Sequence, residues 1–226
     1  MKAMNRMLHP TTALALVAFF SFVSVPAQAG LDEGVAAYEA GDLPLAFKEF
    51  HVLAETGNAD GQFNVALMYE QGIGVTKDET QAISWYEKSA QQGNSNAQYN
   101  LGVLYENGRG TAVDFAQANQ WYRKAAAQGD ALAVGNLGML YMRGDGVKVD
   151  KNLGLALLLQ SATMDSSPAN NAKSNIAATR GLTANMVTTA QTLSNELGQA
   201  ENLLIALDQY LKTTTTAAGG ESEKAL

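Results

Sequence analysis

A shift of 36 residues lays this sequence onto itself without a gap: Ala59 to Asn94, Ser95 to Asp130 and Ala131 to Ser166 are successive copies of one unit. Under that shift Asn64, Asn100 and Asn136 coincide, as do Tyr69, Tyr105 and Tyr141. Two glycine positions also coincide, Gly72/Gly108/Gly144 and Gly74/Gly110/Gly146, followed by Asp78/Asp114/Asp150. A fixed period of this length constrains the fold more than any composition does. Each copy is one supersecondary unit, and the units must stack to bury a continuous core.

The middle copy shows what the unit is. Ala97, Leu101, Leu104 and Tyr105 fall at helical spacing and predict a helix over Ser95–Asn107. Asn94 stands at its N-cap, and Gly108 where a left-handed C-cap residue at positive φ is required. Gly110 turns the short loop. Asp114 caps the next helix, with Gln117 three residues on in a variant of the capping box. That second helix runs from Phe115 to about Gln128, with Phe115, Ala118, Trp121, Tyr122, Ala125 and Ala126 on its apolar face. Gly102 and Ala118 mark a close approach of the two helices.

The pattern A-x-x-N-L-G-x-x-Y-x-x-G-x-G-x-x-x-D, then A-x-x-W-Y-x-K-A-A-x-Q-G, resembles the Sel1-like repeat, a branch of the tetratricopeptide superfamily. Copies 59–94 and 95–130 match it closely. Copy 131–166 keeps Asn136, Leu137, Gly138, Tyr141, Gly144, Gly146 and Asp150 but carries Leu157-Leu158 for Trp-Tyr and Asp165 for the closing glycine. The resemblance implies an all-α fold: a right-handed α-solenoid of antiparallel helix pairs, capped at both ends. It implies a binding scaffold for a protein or peptide partner and no shared reaction.

The flanks complete this organisation. Residues 1–29 read as a cleaved signal peptide: Lys2 and Arg6, an apolar run from Thr12 to Val25, then Ala27-Gln28-Ala29 before a cut ahead of Gly30. The run is shorter than the roughly 20 residues of a spanning helix, so stable membrane insertion is not expected. An uncleaved anchor is the alternative. Removal of the leader leaves 13 basic residues against 22 acidic, a net charge of −9, which argues against nucleic acid and anionic lipid as partners. The chain has no cysteine, hence no disulfide, no thiolate and no lipoprotein anchor. Residues 30–58 read as a tetratricopeptide-like unit without the glycine loop, turning tightly at Gly41-Asp42-Leu43. Residues 167–212 read as degenerate capping helices, one beginning at Ser167-Pro168, one capped by Thr183 and one carrying Leu203, Leu204, Leu207, Tyr210 and Leu211. Residues 213–226 read as a disordered tail. The expected protein is an exported, monomeric scaffold of a Gram-negative periplasm or envelope.

Catalytic chemistry has little to stand on. His51 is the one histidine after the leader, too few for a His-rich metal site. No nucleophile elbow, G-x-x-x-x-G-K-[ST] loop or penicillin-binding signature occurs. No enzyme, cofactor or metal is expected; the competing reading is a binder or hydrolase of cell-wall peptides or sugars. Candidate binding residues come from the ladders. In tetratricopeptide arrays the first helix of each pair lines the concave face, and Asn64, Asn100 and Asn136 hold its sixth place. A carboxamide both donates and accepts, so it can pair with the backbone of an extended peptide. The same asparagines could equally bond a neighbouring helix. Phe63 and Tyr99 precede two of them, and Glu70 and Glu106 recur near the other end of the groove, where Arg143 interrupts the series.

Overall fold

The computed structural model describes residues 27–167 and 169–222, with side chains from Gly30 to Thr214. Among them are eleven helices and no strand. Four antiparallel pairs follow one another: α1 (Ala27–Glu39) with α2 (Leu43–Glu55), α3 (Ala59–Gln71) with α4 (Glu79–Gln91), α5 (Ser95–Asn107) with α6 (Phe115–Ala127), and α7 (Ala131–Arg143) with α8 (Lys151–Met164). Each helix packs on its partner in the pair, and the second helix of each pair packs on the first helix of the next, as an α-solenoid requires. Then come α9 (Ala172–Ala178), α10 (Ala184–Gln199) and α11 (Leu203–Ser222). The leader falls on residues outside the described ones, except that the backbone of Ala27-Gln28-Ala29 forms the first turn of α1.

The repeated residues explain the helix ends. Asn58, Asn94 and Asp130 cap the first helices by accepting from the amides of Gly61, Ala97 and Ala133 at 2.8–2.9 Å. Asp78, Asp114 and Asp150 cap the second helices in the same way. The capping-box reading of Gln117 is corrected, because the amide of Asp114 donates to the carbonyl of Tyr105 at 2.9 Å. Asp78 and Asp150 repeat this bond to Tyr69 and Tyr141, which pins each loop to the end of the helix before it. Gly72, Gly108 and Gly144 sit at φ +74°, +65° and +82°, the left-handed C-caps that the sequence called for.

Between units, most buried polar groups are paired, the Asn119 amide and the Trp121 indole nitrogen being exceptions among the described residues. Gln98, 5% exposed, donates to the carbonyl of Ala90 at 3.0 Å and accepts from Gln128 at 2.8 Å. Gln62 does the same toward Ala54 and Gln92. Ser89 and Ser161 hold the first turn of their own repeats at the carbonyls of Ala59 and Ala131. The core runs along the array through Tyr86, Leu101, Leu104, Tyr122, Leu137 and Leu140, all fully buried. Gly102 marks a close approach of α5 to α6, as its size suggests: a Cβ there would lie 2.4 Å from the ring of Tyr122. In the third repeat Leu157 and Leu158 are fully buried, so the leucine pair keeps α8 in the core.

The C-terminal region differs from the reading in two places. The helix anticipated from Ser167-Pro168 starts only at Ala172, because Asn170 organises a loop ahead of it. Its carboxamide donates to the carbonyls of Ser161 and Asp165 and accepts from the amide of Ala172. The helix containing Leu207 does not stop near Lys212; its backbone continues to Ser222. Thr213 and Thr214 fit that helix by turning their hydroxyls back onto the carbonyls of Tyr210 and Leu211. α10 covers α8, and α11 lies against α10 and α6 with Leu207 fully buried. Arg123 pairs with Asp208, and the Tyr210 hydroxyl donates to Asp150 at 3.0 Å, tying α11 to the second and third repeats.

Candidate functional site

The residues singled out by the ladders meet at the seams between units. At the seam of the first two repeats, the Asn100 carboxamide donates to the Tyr86 hydroxyl at 2.9 Å, and that hydroxyl donates to Glu70 at 2.7 Å. The other oxygen of Glu70 accepts from Arg109 at 2.9 Å. Arg109 reaches Glu79 as well, at 2.8 Å. The next seam is built alike. Tyr122 donates to Glu106 at 2.8 Å, Arg143 pairs with the second oxygen of Glu106 at 2.8 Å, and the Asn136 side chain lies close enough to the hydroxyls of Tyr122 and Tyr99 to favour their ionised forms. Arg143 thus joins the glutamate series instead of interrupting it; the position equivalent to Glu70 and Glu106 is Met142, and Arg143 also reaches Asp145 at 2.9 Å. Phe63 and Tyr99 pack on the rings of Tyr86 and Tyr122, with centroids 5.8 and 6.0 Å apart.

Asn100 is therefore committed to a neighbouring helix, and Asn136 faces the tyrosines of its own seam, though both stay half-exposed. Glu70 and Glu106 are both ion-paired and hydrogen-bonded. Asn64 differs. Its equivalent of Tyr86 is Phe50, which has no hydroxyl, and no partner holds its carboxamide among the described residues. His51 is packed between Phe47 and Trp85, with ring centroids 5.6 and 5.4 Å away, and lies 3.6 Å from Glu55. Among the described residues no group of three His, Asp or Glu is placed to hold a metal ion. No helix among them is long and apolar enough to cross a membrane.

The relays set the titration behaviour of the phenols. Burial, and then the carboxylate of Glu70, push the Tyr86 phenol far above its ordinary range. Burial and Glu106 do the same to Tyr122. Tyr105 is pushed up to about 12, first by burial and then by its hydrogen bond to Glu87. Unfolded tyrosines ionise near pH 10. Above that pH the folded chain holds protons that the unfolded chain has lost, so stability falls as pH rises through 10 toward 12 and is insensitive to these groups below about 9. An alkaline melt followed by circular dichroism should show this fall. Phenolate absorbance of the inner tyrosines should rise only together with unfolding. Titration of all eight tyrosines near pH 10 in the folded protein would contradict the relays.

Comparison with known proteins agrees with this geometry. The Sel1 repeat family model matches residues 59–94, 95–130 and 131–166. No curated protein is similar to the chain at a significant level. Among solved structures, a Sel1 repeat protein from Oxalobacter formigenes is 31% identical, with a TM-score of 0.58, over 65% of this chain and 57% of its own. A protective antigen present in uropathogenic Escherichia coli strains, displaying the Sel1-like repeat fold, is 32% identical with a TM-score of 0.61, over 84% of this chain and 38% of its own. The match thus spans less than two thirds of either solved relative. Residues 59–166 are thus three consecutive Sel1 repeats in register with the family model, each folded as one helix pair.

Proposed function

We propose that this chain is an exported scaffold of the bacterial periplasm or envelope that holds a segment of a partner protein on the concave face lined by α1, α3, α5 and α7. The observation that carries this reading is the stacked array itself: an uninterrupted series of helix pairs whose buried polar groups are mostly paired within and between units. Such an array has the rigidity of a binding surface. Glu70, Glu106, Tyr86 and Tyr122 are tied into the seams, which leaves these groups little chemistry for turnover. The leader-like residues 1–29 supply the expectation of export.

The test is photo-crosslinking in living cells, with the crosslinking amino acid placed at exposed positions of the first helices, combined with cell fractionation. A discrete protein adduct from the periplasmic fraction is the expected result. Retention of the intact chain in the cytoplasm would remove the export reading. Hydrolysis of purified peptidoglycan fragments by the isolated protein, with no adduct in cells, would replace the scaffold reading by the enzymatic one.

A further inference from the structure

The seam between the N-terminal unit and the first repeat lacks the polar relay of the two that follow, and each departure points the same way. Phe50 stands where Tyr86 and Tyr122 stand one and two periods later. Tyr38, twelfth residue of α1, takes the place that Glu70 and Glu106 hold as twelfth residues of α3 and α5. Ile73 stands where Arg109 stands. The framework is otherwise the same: a Cβ at Gly34 would lie 2.4 Å from the Phe50 ring, as one at Gly102 would from Tyr122. Loss of the hydroxyl, carboxylate and guanidinium leaves a cavity of about 380 Å³ among Tyr38, Phe50, Asn64, Leu67, Met68 and Ile73. Tyr38 is 48% exposed at its mouth, and the neighbouring Val35 is 41% exposed. Asn64 lines it with a carboxamide that can still donate and accept.

The charge around this cavity says what enters. Residues 27–76 carry eight carboxylates and one lysine, a net −7 that equals the formal charge of the whole 226-residue chain. Glu39 stands at the cavity rim, exposed and without a cation paired to it among the described residues. We infer that this cavity is the specificity pocket of the array: it takes one large apolar side chain of an extended, basic protein segment, whose backbone bonds to the Asn64 carboxamide and whose lysines or arginines face Glu39 and the acidic N-terminal unit. This inference rests on the reading of the array as a partner-binding scaffold and names the chemistry of what it binds. The steering charge makes binding salt-sensitive, and the pocket makes it depend on one apolar residue.

A phage-displayed library of random heptapeptides, selected on the full chain at low salt, tests this directly. Enriched peptides are expected to share one Leu, Ile, Met, Phe or Trp next to Lys or Arg. Synthetic copies should lose at least tenfold in affinity when that apolar residue becomes alanine. The triple variant Tyr38→Glu, Phe50→Tyr, Ile73→Arg installs the relay of the next seam in this one, and it should keep its helical signal while losing the peptides at least tenfold. Glu39→Lys, an exposed rim change that does not touch the core, should weaken basic peptides severalfold and flatten their salt dependence; it carries the test if the triple variant fails to fold. Enrichment of acidic or purely polar peptides, no enrichment at all, or unchanged affinity in a folded triple variant and in Glu39→Lys would overturn the pocket. Peptides that ignore both variants but are lost on Asn100→Ala or Asn136→Ala would overturn the pocket and leave the scaffold reading standing. A crosslinked partner in cells together with an empty selection would do the same.

Discussion

Alanine at Gly110 is expected to destabilise the protein by about 3 kcal/mol or more, and alanine at Gly129 by only about 1–2 kcal/mol, although both glycines have positive φ. The difference lies in what a Cβ would meet. At Gly129, φ +88°, nothing lies within 4 Å, so the cost is the left-handed conformation alone. At Gly110, φ +70°, the Cβ would lie 2.6 Å from the carbonyl carbon of Glu79 and 2.7 Å from its oxygen, backbone that cannot swing aside. Thr80 also bonds the Gly110 carbonyl at 3.3 Å, so the loop of the second repeat is seated on the start of α4. Gly74 and Gly146 make the same contact one seam away on either side, against Leu43 and Phe115. Relief at Gly110 therefore requires two repeats to part. In an array held by nearest-neighbour interfaces, a weakened seam should also separate the unfolding of the two halves. Paired thermal melts of the two variants decide the matter, since about 1 kcal/mol corresponds to roughly 2–4 °C at this size. Equal melting temperatures would show that the seam yields.

What was legible in the sequence was whatever repeats within one unit. The bounds read for α5, the caps at Asn94 and Asp114, and the positive φ of Gly108 all follow from residues within a few positions of one another, and all are found as read. The ladders were legible as ladders but not as bonds. Asn100 is held by Tyr86, fourteen residues earlier and in the preceding repeat, and Arg109 reaches Glu70 across 39 residues. Nothing local in the chain announces either contact, because both arise from how far one unit is rotated onto the next. The glutamines failed to attract notice for another reason. Gln62 and Gln98 recur at the period in the first two copies, with Val134 in the third, yet glutamine on a helix ordinarily faces water, whereas here each is buried at a seam. Gln117 was over-read, since a reciprocal cap needs the amide of Asp114 and the loop had already engaged it through Tyr105.

The candidate pocket was legible only by subtraction. No single residue among Tyr38, Phe50 and Ile73 is unusual, and a hydrophobic residue at each place is an ordinary packing choice. Their meaning appears when the seams are superposed and the same three places are found to hold Glu70, Tyr86 and Arg109 in the next one. The two ends of the array have then diverged in opposite directions. At the C-terminal end the third repeat has lost its Trp-Tyr pair, and α10 and α11 close over this end, with Leu207 fully buried and Arg123 of the second repeat and Asp150 of the third bonded by the incoming helix. At the N-terminal end the relay is lost as well, but Tyr38 and Val35 remain open to solvent.

Tyr122→Ala should cost about 3–5 kcal/mol, and Tyr122→Phe about 1–2 kcal/mol, which separates what the ring does from what the hydroxyl does. The ring is fully buried at the contact between Gly102 and the core of the third repeat, where a Cβ on Gly102 would already touch it. Removing the ring leaves a cavity that a neighbouring helix cannot fill without unseating α5 from α6. Removing the hydroxyl keeps the packing but takes one partner from Glu106 and a polar neighbour from Asn136. The carboxylate retains Arg143, and the half-exposed amide can turn to water, so the loss stays small. The first seam shows that phenylalanine fits such a position, since Phe50 occupies it at 4% exposure. The Phe variant should also lose part of the fall in stability above pH 10, because one strongly raised phenol is gone. Urea melts at pH 8 and pH 10.5 measure both effects. If phenylalanine proves as costly as alanine, the hydroxyl relay dominates the seam. If it proves stabilising, burying the relay costs more than its bonds return, and the polar seams are kept for the geometry they impose rather than for stability.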